Sequence, residues 1–259
     1  QGWPKFAANL WMATTGAPGL AAVAYAPSTA TTQVQGLPVT ATLDTAYPFR
    51  SDLRFTITTA QPVPFSLWLR IPAWAEGATL VLPDAHREAP RPGTFHEVRR
   101  TWKGTESLTL ILPMRPSLRR GYNRAASVIR GPLVYALKMG EQWNQVHADA
   151  PYRELPHADW EVLPTTPWNY ALDVDETTAD SAVVFSEHPV GDCPFSPEGA
   201  PVTATVRGRK LPGWDLDRGS AADAPPSPVT SEEPEETLTL IPYGCTNLRV
   251  TEFPTLRRD

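Results

Sequence analysis

The stretch Leu53-Arg-Phe-Thr-Ile-Thr-Thr59, followed by Phe65-Ser-Leu-Trp-Leu-Arg-Ile71, decides the fold class of this chain. Leu53, Phe55 and Ile57 alternate with polar residues in the first segment, and Phe65, Leu67, Leu69 and Ile71 alternate with Ser66, Trp68 and Arg70 in the second. Successive side chains of a strand point to opposite faces of a sheet, so this two-residue period is typical of strands with one buried face. The stretch therefore predicts two half-buried β-strands.

Similar short segments, each bounded by turn residues, occur on both sides of this stretch. In the first part of the chain they are residues 20–26, 39–45, 96–102 and 108–112. In the second part they are residues 127–130, 133–137, 160–163, 170–174, 182–185, 202–206, 238–241 and 248–251. Residues 113–123 interrupt the pattern with two prolines and a basic cluster, which places a boundary near Pro116. The pattern predicts an all-β fold of two consecutive antiparallel β-sandwiches of the jelly-roll kind, residues 19–115 and 116–259.

The opening segment has a different period. In Trp3-Pro-Lys-Phe-Ala-Ala-Asn-Leu-Trp-Met-Ala13 a proline stands at the first turn, and Phe6, Leu10 and Ala13 share one helical face. A glycine and a proline follow within five residues. The segment predicts one short helix that ends before Gly16.

Composition excludes several classes of protein. The 29 prolines rule out a fold dominated by long helices, and a net charge of −5 disfavours nucleic acid as a partner. No apolar run approaches the roughly 20 residues that span a membrane, so no membrane association is expected. The chain begins at Gln1 without a methionine, and we expect it to be a fragment or a processed piece. Residues 215–236, rich in proline and acidic residues, predict a solvated loop.

Few residues carry recognisable chemistry. The five histidines have no close spacing, so no metal site is predicted, and neither Cys193 nor Cys245 lies in a nucleophile motif. A structural thiol is the favoured interpretation of the cysteines. The acidic residues Asp173, Asp175 and Glu176 could bind calcium or a sugar, but a polar turn is the commoner explanation. No catalytic residue is nominated.

The nine tryptophans are many for this length. Exposed indole rings can stack on sugars as well as fill cores. Trp143, Trp160 and Trp168 lie near predicted loops of the second part and are candidates for contact with carbohydrate. Packing between a sandwich and a neighbouring domain is the favoured alternative for the same side chains.

Seven segments, taken together, resemble glycoside hydrolase family 127 and its relatives, the β-L-arabinofuranosidase-like proteins. They are QGWPKF (1–6), GLAAVAYAP (19–27), YPF (47–49), LRIPAWA (69–75), LPMRP (112–116), RGPLVYAL (130–137) and LIPYGCTNLRVTEFP (240–254). They occur in the order in which such proteins have them. The resemblance runs from the first residue nearly to the last.

The resemblance implies an enzyme with a catalytic α/α barrel followed by β-sandwich domains, of which this chain is the C-terminal portion. Residues 1–18 would be the last helix of that barrel. In the family, retaining hydrolysis is attributed to a zinc-bound cysteine nucleophile and a glutamate acid/base. Cys193 and Cys245 do not align with the family's cysteine pair. No catalytic residue, metal ligand or cofactor is therefore carried over to this chain, and zinc is implied for the missing barrel.

The function implied is that of an accessory region that supports the barrel in carbohydrate hydrolysis, with the chain alone inactive. Its expected partners are the upstream barrel, the carbohydrate substrate of the parent protein and a second copy in a homodimer. A non-catalytic carbohydrate-binding module and a dimerisation scaffold stay open as alternatives. Without a barrel, we expect residues 1–15 to be loosely held or to dock on the first sandwich.

Overall fold

The structure is a computed structural model that describes residues 2–257. In that range 19 strands accompany two α-helices of seven and four residues, which confirms the predicted all-β class. The chain divides into two compact units between Met114 and Arg115. The jelly-roll description of the units and the barrel before them stay predictions.

The first unit contains helix α1 and eight strands that form a single sheet. The elements are α1 (Gly2–Ala8), β1 (Trp11–Ala13), β2 (Gly19–Ala22), β3 (Ser28–Val34), β4 (Leu37–Thr45), β5 (Asp52–Ile71), β6 (Thr79–Val81), β7 (Arg87–Glu88) and β8 (Thr94–Ile111). The sheet runs β1-β2-β5-β8-β6-β7, with β4 also paired to β5 and β3 paired to β4. The β2–β5 pair is parallel and the others are antiparallel, so the wholly antiparallel expectation was wrong at that one pair.

The two segments predicted as separate strands form one strand, β5, of 20 residues. It pairs with β8 along both parts, with a register shift between Thr59 and Val63. The shift contains Pro62, which lacks a backbone donor and is tolerated where ladder pairing is interrupted. Before the shift β5 pairs with β4, and after it β5 pairs with β2. The prediction of two separate strands was therefore wrong, and Pro62 marks an irregularity inside one continuous strand.

One core serves both halves of this sheet. Leu53 and Phe55 before the shift and Leu67 and Leu69 after it are fully buried in the same hydrophobic cluster. The Trp11 ring of β1 lies edge-on to Phe55, with ring centres 6.0 Å apart. The alternating pattern thus predicted correctly which side chains are buried.

The opening helix is shorter than predicted. Helix α1 ends at Ala8, and none of its residues is buried. Residues 11–13, predicted as helix, form β1 because their backbone pairs with β2. Leu10 is buried, and its carbonyl accepts a 2.9 Å hydrogen bond from Val23 N–H. The residues after α1 therefore dock on the first unit, one of the two outcomes expected for this segment.

The second unit is built on an antiparallel sheet of seven strands. Its elements are β9 (Pro116–Arg120), β10 (Ala126–Arg130), β11 (Leu133–Leu137), β12 (Glu141–Val146), β13 (Asp159–Pro164), β14 (Tyr170–Leu172), α2 (Ala179–Ala182), β15 (Val184–Glu187), β16 (Val202–Lys210), β17 (Leu216–Asp217), β18 (Ser220–Ala221) and β19 (Glu235–Pro242), with short 3-10 turns at Tyr122–Arg124 and Tyr243–Cys245. The sheet runs β14-β16-β19-β11-β10-β9, and β15 also pairs with β16. Strands β12 and β13 form a separate hairpin, as do β17 and β18.

Three predictions for this unit need correction. Residues 248–251 form no strand; they lie beside β11, where Leu137 N–H donates to the Val250 carbonyl at 3.0 Å. The strand expected from residue 182 begins at Val184, because residues 179–182 form α2. The loop predicted at residues 215–236 includes the two-residue strands β17 and β18. Strands β9 and β12 were not predicted, since β9 holds a proline and β12 is mostly polar.

Candidate functional site

A cleft of about 800 Å³ opens in the second unit beside the hairpin β12–β13. Its other walls come from the segment after β11, the start of β19 and the turn around Glu198. The polar and aromatic side chains in its lining include Lys138, Glu141, Trp143, Tyr170, Glu198, Glu236 and Asn247. Sites for small ligands commonly have volumes of roughly 300–1,000 Å³ and a few convergent polar groups. The cleft is therefore the candidate functional site of this unit.

The base of the hairpin is fixed by bonds to Gly140. Its N–H donates to Thr166 Oγ1 at 3.0 Å, and its carbonyl accepts from Thr165 N–H at 2.9 Å. A β-carbon at this position would lie 2.4 Å from Thr165 Oγ1, so glycine allows the close approach of these two segments. This connection places Glu141, the first residue of β12, in the wall of the cleft.

Glu141 is held from two sides. Its Oε2 accepts a 3.0 Å hydrogen bond from Trp143 Nε1 and another, also 3.0 Å, from Asn247 Nδ2. The described residues supply no hydrogen-bond donor to its other oxygen, Oε1. The carboxylate is thus oriented while retaining acceptor capacity toward a ligand.

A second carboxylate, Glu236, is also paired. The buried Tyr170 hydroxyl donates to Glu236 Oε2 at 3.1 Å, and Lys210 Nζ lies 3.2 Å from Glu236 Oε1. Burial, followed by the bond to Glu236 and the charge of that carboxylate, raises the pKa of Tyr170 to about 12. Tyr170 is therefore a protonated hydrogen-bond donor at neutral pH.

The structure brings two of the three candidate tryptophans together. In the hairpin register Trp143 pairs with Val162 and Trp160 pairs with Gln145, so both rings lie on one face as diagonal neighbours. Their ring centres are 5.9 Å apart at 72°. Their exposed fractions are 47% and 43%, and Trp143 also lines the cleft.

Trp168 lies in a different environment. Its ring is half-buried and contacts Trp214 edge-on, with ring centres 5.1 Å apart. Both belong to a hydrophobic cluster with Leu211. Trp168 therefore packs inside the second unit instead of joining the tryptophan pair of the hairpin.

The two cysteines are both free thiols and differ in exposure. Cys193 is exposed and Cys245 is buried. The Cys245 thiol donates to the Pro194 carbonyl at 3.2 Å, and burial raises its pKa to about 11. Cys245 is thus a protonated, structural thiol, in line with the interpretation from sequence.

The acidic residues at 173–176 form a polar turn. Asp175 Oδ1 accepts from the backbone N–H groups of Thr177 and Thr178 at 2.8 and 2.9 Å. Glu176 is bound by Arg120, and this bond is the main cause that lowers the pKa of Glu176 to about 2. The pairing within the turn supports the structural interpretation over a ligand site.

The zinc implied by the family resemblance finds no fitting ligand set in this part of the chain. Among residues 2–257, no group of three or more His, Cys, Asp and Glu side chains is placed to hold a metal ion. No chemical step is therefore derived through zinc for this chain. No helix in the described range is long and apolar enough to cross a bilayer.

The fold is that of a β-rich protein with a cleft in its second unit. Comparisons with known proteins relate it to a family. The family model described as "Beta-L-arabinofuranosidase, GH127 middle domain" matches residues 19–114, which cover most of the first unit. A comparison with curated proteins finds no match.

Solved structures extend the similarity to both units. A GH127 β-L-arabinofuranosidase from Geobacillus stearothermophilus T6 matches 97% of this chain at 19% identity and a TM-score of 0.61, over 35% of its own length. A structure described as a glycoside hydrolase matches 92% of the chain at 21% identity and a TM-score of 0.59, over 36% of its own length. A GH127 β-arabinofuranosidase matches 92% at 18% identity and a TM-score of 0.57, over 35% of its own length.

These comparisons support the expected relation to glycoside hydrolase family 127 and a glycoside-hydrolase-related accessory domain. The chain spans about a third of the length of the solved structures it matches. The description as a middle domain applies to residues 19–114. The placement of the whole chain at the C-terminal end of a longer protein stays a prediction.

Sequence reasoning missed most of the cleft. Glu141 and Asn247 are 106 positions apart, and nothing in their local patterns indicates that they meet. The one available signal was the run of polar residues around Trp143, which predicts an exposed segment in a mostly apolar sheet region.

Proposed function

We propose that this chain is the accessory β-rich region of a glycoside hydrolase that resembles β-L-arabinofuranosidases, and that it supports a catalytic α/α barrel encoded upstream. The observation that carries the proposal is the match of residues 19–114 to the GH127 middle domain. The fold similarity over 97% of this chain and only 35% of a solved relative agrees with a part of a larger architecture.

The surface of α1 supports contact with another part of such a protein. Trp3 is 77% exposed and Phe6 is 41% exposed, and their rings meet edge-on at 5.9 Å. Adjacent exposed aromatic side chains favour burial against a partner, because each large apolar side chain gains roughly 1.5–3 kcal/mol when it leaves water.

Catalysis in this proposal belongs to residues outside the chain. The Cys245 thiol is buried and protonated, and Cys193 stands outside any cluster of metal-ligating side chains among the described residues. The nucleophile, the acid/base and the zinc are all assigned to the barrel.

The direct test is an activity assay on the purified 259-residue chain. With 4-nitrophenyl β-L-arabinofuranoside, with and without added zinc, we expect no turnover above buffer. Turnover that purifies with the chain and vanishes in a Cys193→Ser variant would overturn the assignment of catalysis to another region.

A second measurement addresses the barrel itself. Sequencing the gene on the 5′ side of the Gln1 codon is expected to show an open reading frame that encodes a helical region with paired cysteines. A start codon and promoter directly at that point would contradict the accessory role.

A further inference from the structure

We propose that the cleft beside the hairpin β12–β13 binds a neutral saccharide, with Glu141 as its hydrogen-bond acceptor. Trp143 in the cleft wall and the adjoining Trp160 on the hairpin would form the stacking surface. This inference goes beyond the accessory function, since it concerns the second unit alone. It would hold whether or not the first unit supports a catalytic barrel.

The tryptophan pair supplies the apolar part of the site. Trp143 and Trp160 lie on one face of the hairpin with rings at 72°, so they form an angled aromatic surface. The C–H face of a sugar ring is apolar and electropositive, and it complements the negative face of an indole. Nearly half of each side chain is exposed. A ligand that covers both rings would therefore remove a contiguous apolar area from water.

The hydrogen bonds around Glu141 fix the polar part. The indole N–H of Trp143 donates to Glu141 Oε2, so this bond orients both the ring and the carboxylate. Asn247 Nδ2 donates to the same oxygen. Because Glu141 Oε1 accepts no hydrogen bond from the described residues, it can accept one from a sugar hydroxyl. Groups that are already oriented lose little side-chain entropy on binding.

The charges in the cleft select a neutral ligand. Glu141, Glu198 and Glu236 line it together with a single cation, Lys138. Lys210 pairs with Glu236 from outside the lining and leaves the total negative. A uronate or a phosphate would meet net repulsion here, whereas a neutral saccharide would not.

The same charges argue against a protein interface as the use of this surface. Cores of protein–protein interfaces are depleted of charged residues. Here the tryptophan Trp143 lines a cleft of about 800 Å³ that contains four charged side chains. An aromatic surface beside oriented polar groups is instead typical of a small-ligand site, and the volume is sufficient for a short oligosaccharide.

The test uses the whole 259-residue chain and titrates it with arabinotriose, xylotriose and cellotriose as neutral probes and trigalacturonate as an anionic one. Binding is followed by calorimetry and by the indole N–H signals in nitrogen-15 NMR spectra. We expect saturable binding of at least one neutral trisaccharide, with shifts concentrated at the Trp143 and Trp160 signals. We expect no comparable response to trigalacturonate.

Variants separate this surface from the rest of the hairpin. Trp143→Ala and Trp160→Ala should each weaken binding roughly tenfold, the scale of one lost aromatic stacking contact. Leu163→Ala is the matched control, because Leu163 is 43% exposed on the opposite face of the same hairpin. This control should bind as the unchanged chain does.

Several results would overturn the proposal. The first is no saturation with any neutral trisaccharide at roughly 10 mM, a concentration well above a Kd of about 1 mM. The second is a loss of affinity in Leu163→Ala equal to that in the tryptophan variants. The third is tighter binding of trigalacturonate than of the neutral trisaccharides. The shifts in the unchanged chain decide the matter even if a tryptophan variant fails to fold. The turnover assay above measures the accessory function separately, so either proposal can fail without the other.

Discussion

Arg120 and Glu176 join strand β9 to the turn before α2 through two parallel hydrogen bonds. Arg120 Nε donates to Glu176 Oε1 at 2.6 Å, and Arg120 Nη2 donates to Glu176 Oε2 at 3.1 Å. Paired bonds of this kind hold a carboxylate more firmly than a single contact. Arg120 also donates to Thr255 Oγ1 at 3.2 Å, so three distant segments of the chain meet at this guanidinium.

This pair predicts a pH-dependent contribution to stability. The bond from Arg120 lowers the pKa of Glu176 to about 2 in the folded protein. Because the folded pKa lies below the unfolded one, the stabilisation is fully present above the unfolded pKa, about 4.3, and is lost as the pH falls toward 2. The Glu176 side chain is 57% exposed, so solvent screening limits the effect to roughly 0.2–1 kcal/mol.

The measurement is urea unfolding of the unchanged chain and of Glu176→Gln between neutral and strongly acidic pH. The variant should be less stable at neutral pH, and the difference should shrink as the pH falls toward 2 and vanish below it. The difference should also shrink in concentrated salt. A gap between the two proteins that grows on acidification would contradict the assigned pKa direction.

Trp102 predicts a large loss of stability in the first unit. Its side chain is fully buried, and Nε1 donates to the Phe65 carbonyl at 3.2 Å. Trp102→Ala should cost about 3–5 kcal/mol, through lost burial and the cavity that remains. The matched control is Phe95→Ala on the same strand, where the ring is 45% exposed.

Unfolding of the first unit, followed in urea by NMR signals from that unit alone, checks this prediction. The Phe95→Ala variant should unfold within about 0.5 kcal/mol of the unchanged chain. Equal destabilisation by both variants would mean that Trp102 does not occupy the core.

The close packing at Gly208, where β16 pairs with β14, predicts that this position tolerates no side chain. A β-carbon there would lie 2.7 Å from the Ala171 carbonyl oxygen and 2.8 Å from Leu238 Cδ1. Gly208→Ala should therefore destabilise the second unit by about 1–3 kcal/mol, since backbone and core must both shift. Gly213→Ala is the control, because no atom lies within 4 Å of its β-carbon position.

Thermal unfolding of the two alanine variants tests this contrast. The Gly213 variant should unfold close to the unchanged chain, and the Gly208 variant clearly below it. A Gly208 variant as stable as the control would show that the β14–β16 pair has more room than the structure gives it.

The cysteines predict a difference in thiol reactivity. Cys193 is exposed, whereas Cys245 is buried with its pKa raised to about 11. A disulfide reagent reacts with the thiolate, so the folded chain should titrate with one fast thiol and the urea-unfolded chain with two. Cys193→Ser should remove the fast reaction. Two fast thiols in the folded chain would contradict the burial of Cys245.

The buried faces of the strands could be read directly from the sequence, because alternation depends only on the two-residue period. Leu53, Phe55, Leu67 and Leu69 were all assigned correctly. The sequence could not show that these residues lie in one continuous strand, because Pro62 is compatible both with a turn and with a register shift inside a strand. The choice between these depends on pairing with the distant strand β8.

The predicted length of the opening helix was wrong for a related reason. The spacing of Phe6, Leu10 and Ala13 fits a helix, but residues 11–13 gain backbone hydrogen bonds from β2. Tertiary pairing therefore overrides a local periodicity in so short a segment.

The candidate site shows the same limit. The tryptophans Trp143 and Trp160 could be nominated from the sequence, because they lie near predicted loops, where exposed indole rings can contact a ligand. The pairing of Glu141 with Asn247 depends on how distant segments are brought together, and no local pattern encodes it.

The continuous path of β5 and β8 through both halves of the first sheet has a consequence for folding. Both halves of the sheet, before and after the register shift, are built on the paired strands β5 and β8. A cut between residues 52 and 111 therefore separates strands that pair with each other. The first unit should consequently unfold in one cooperative transition. Truncated chains that separate β5 from β8 should aggregate instead of folding, because they expose unpaired strand edges.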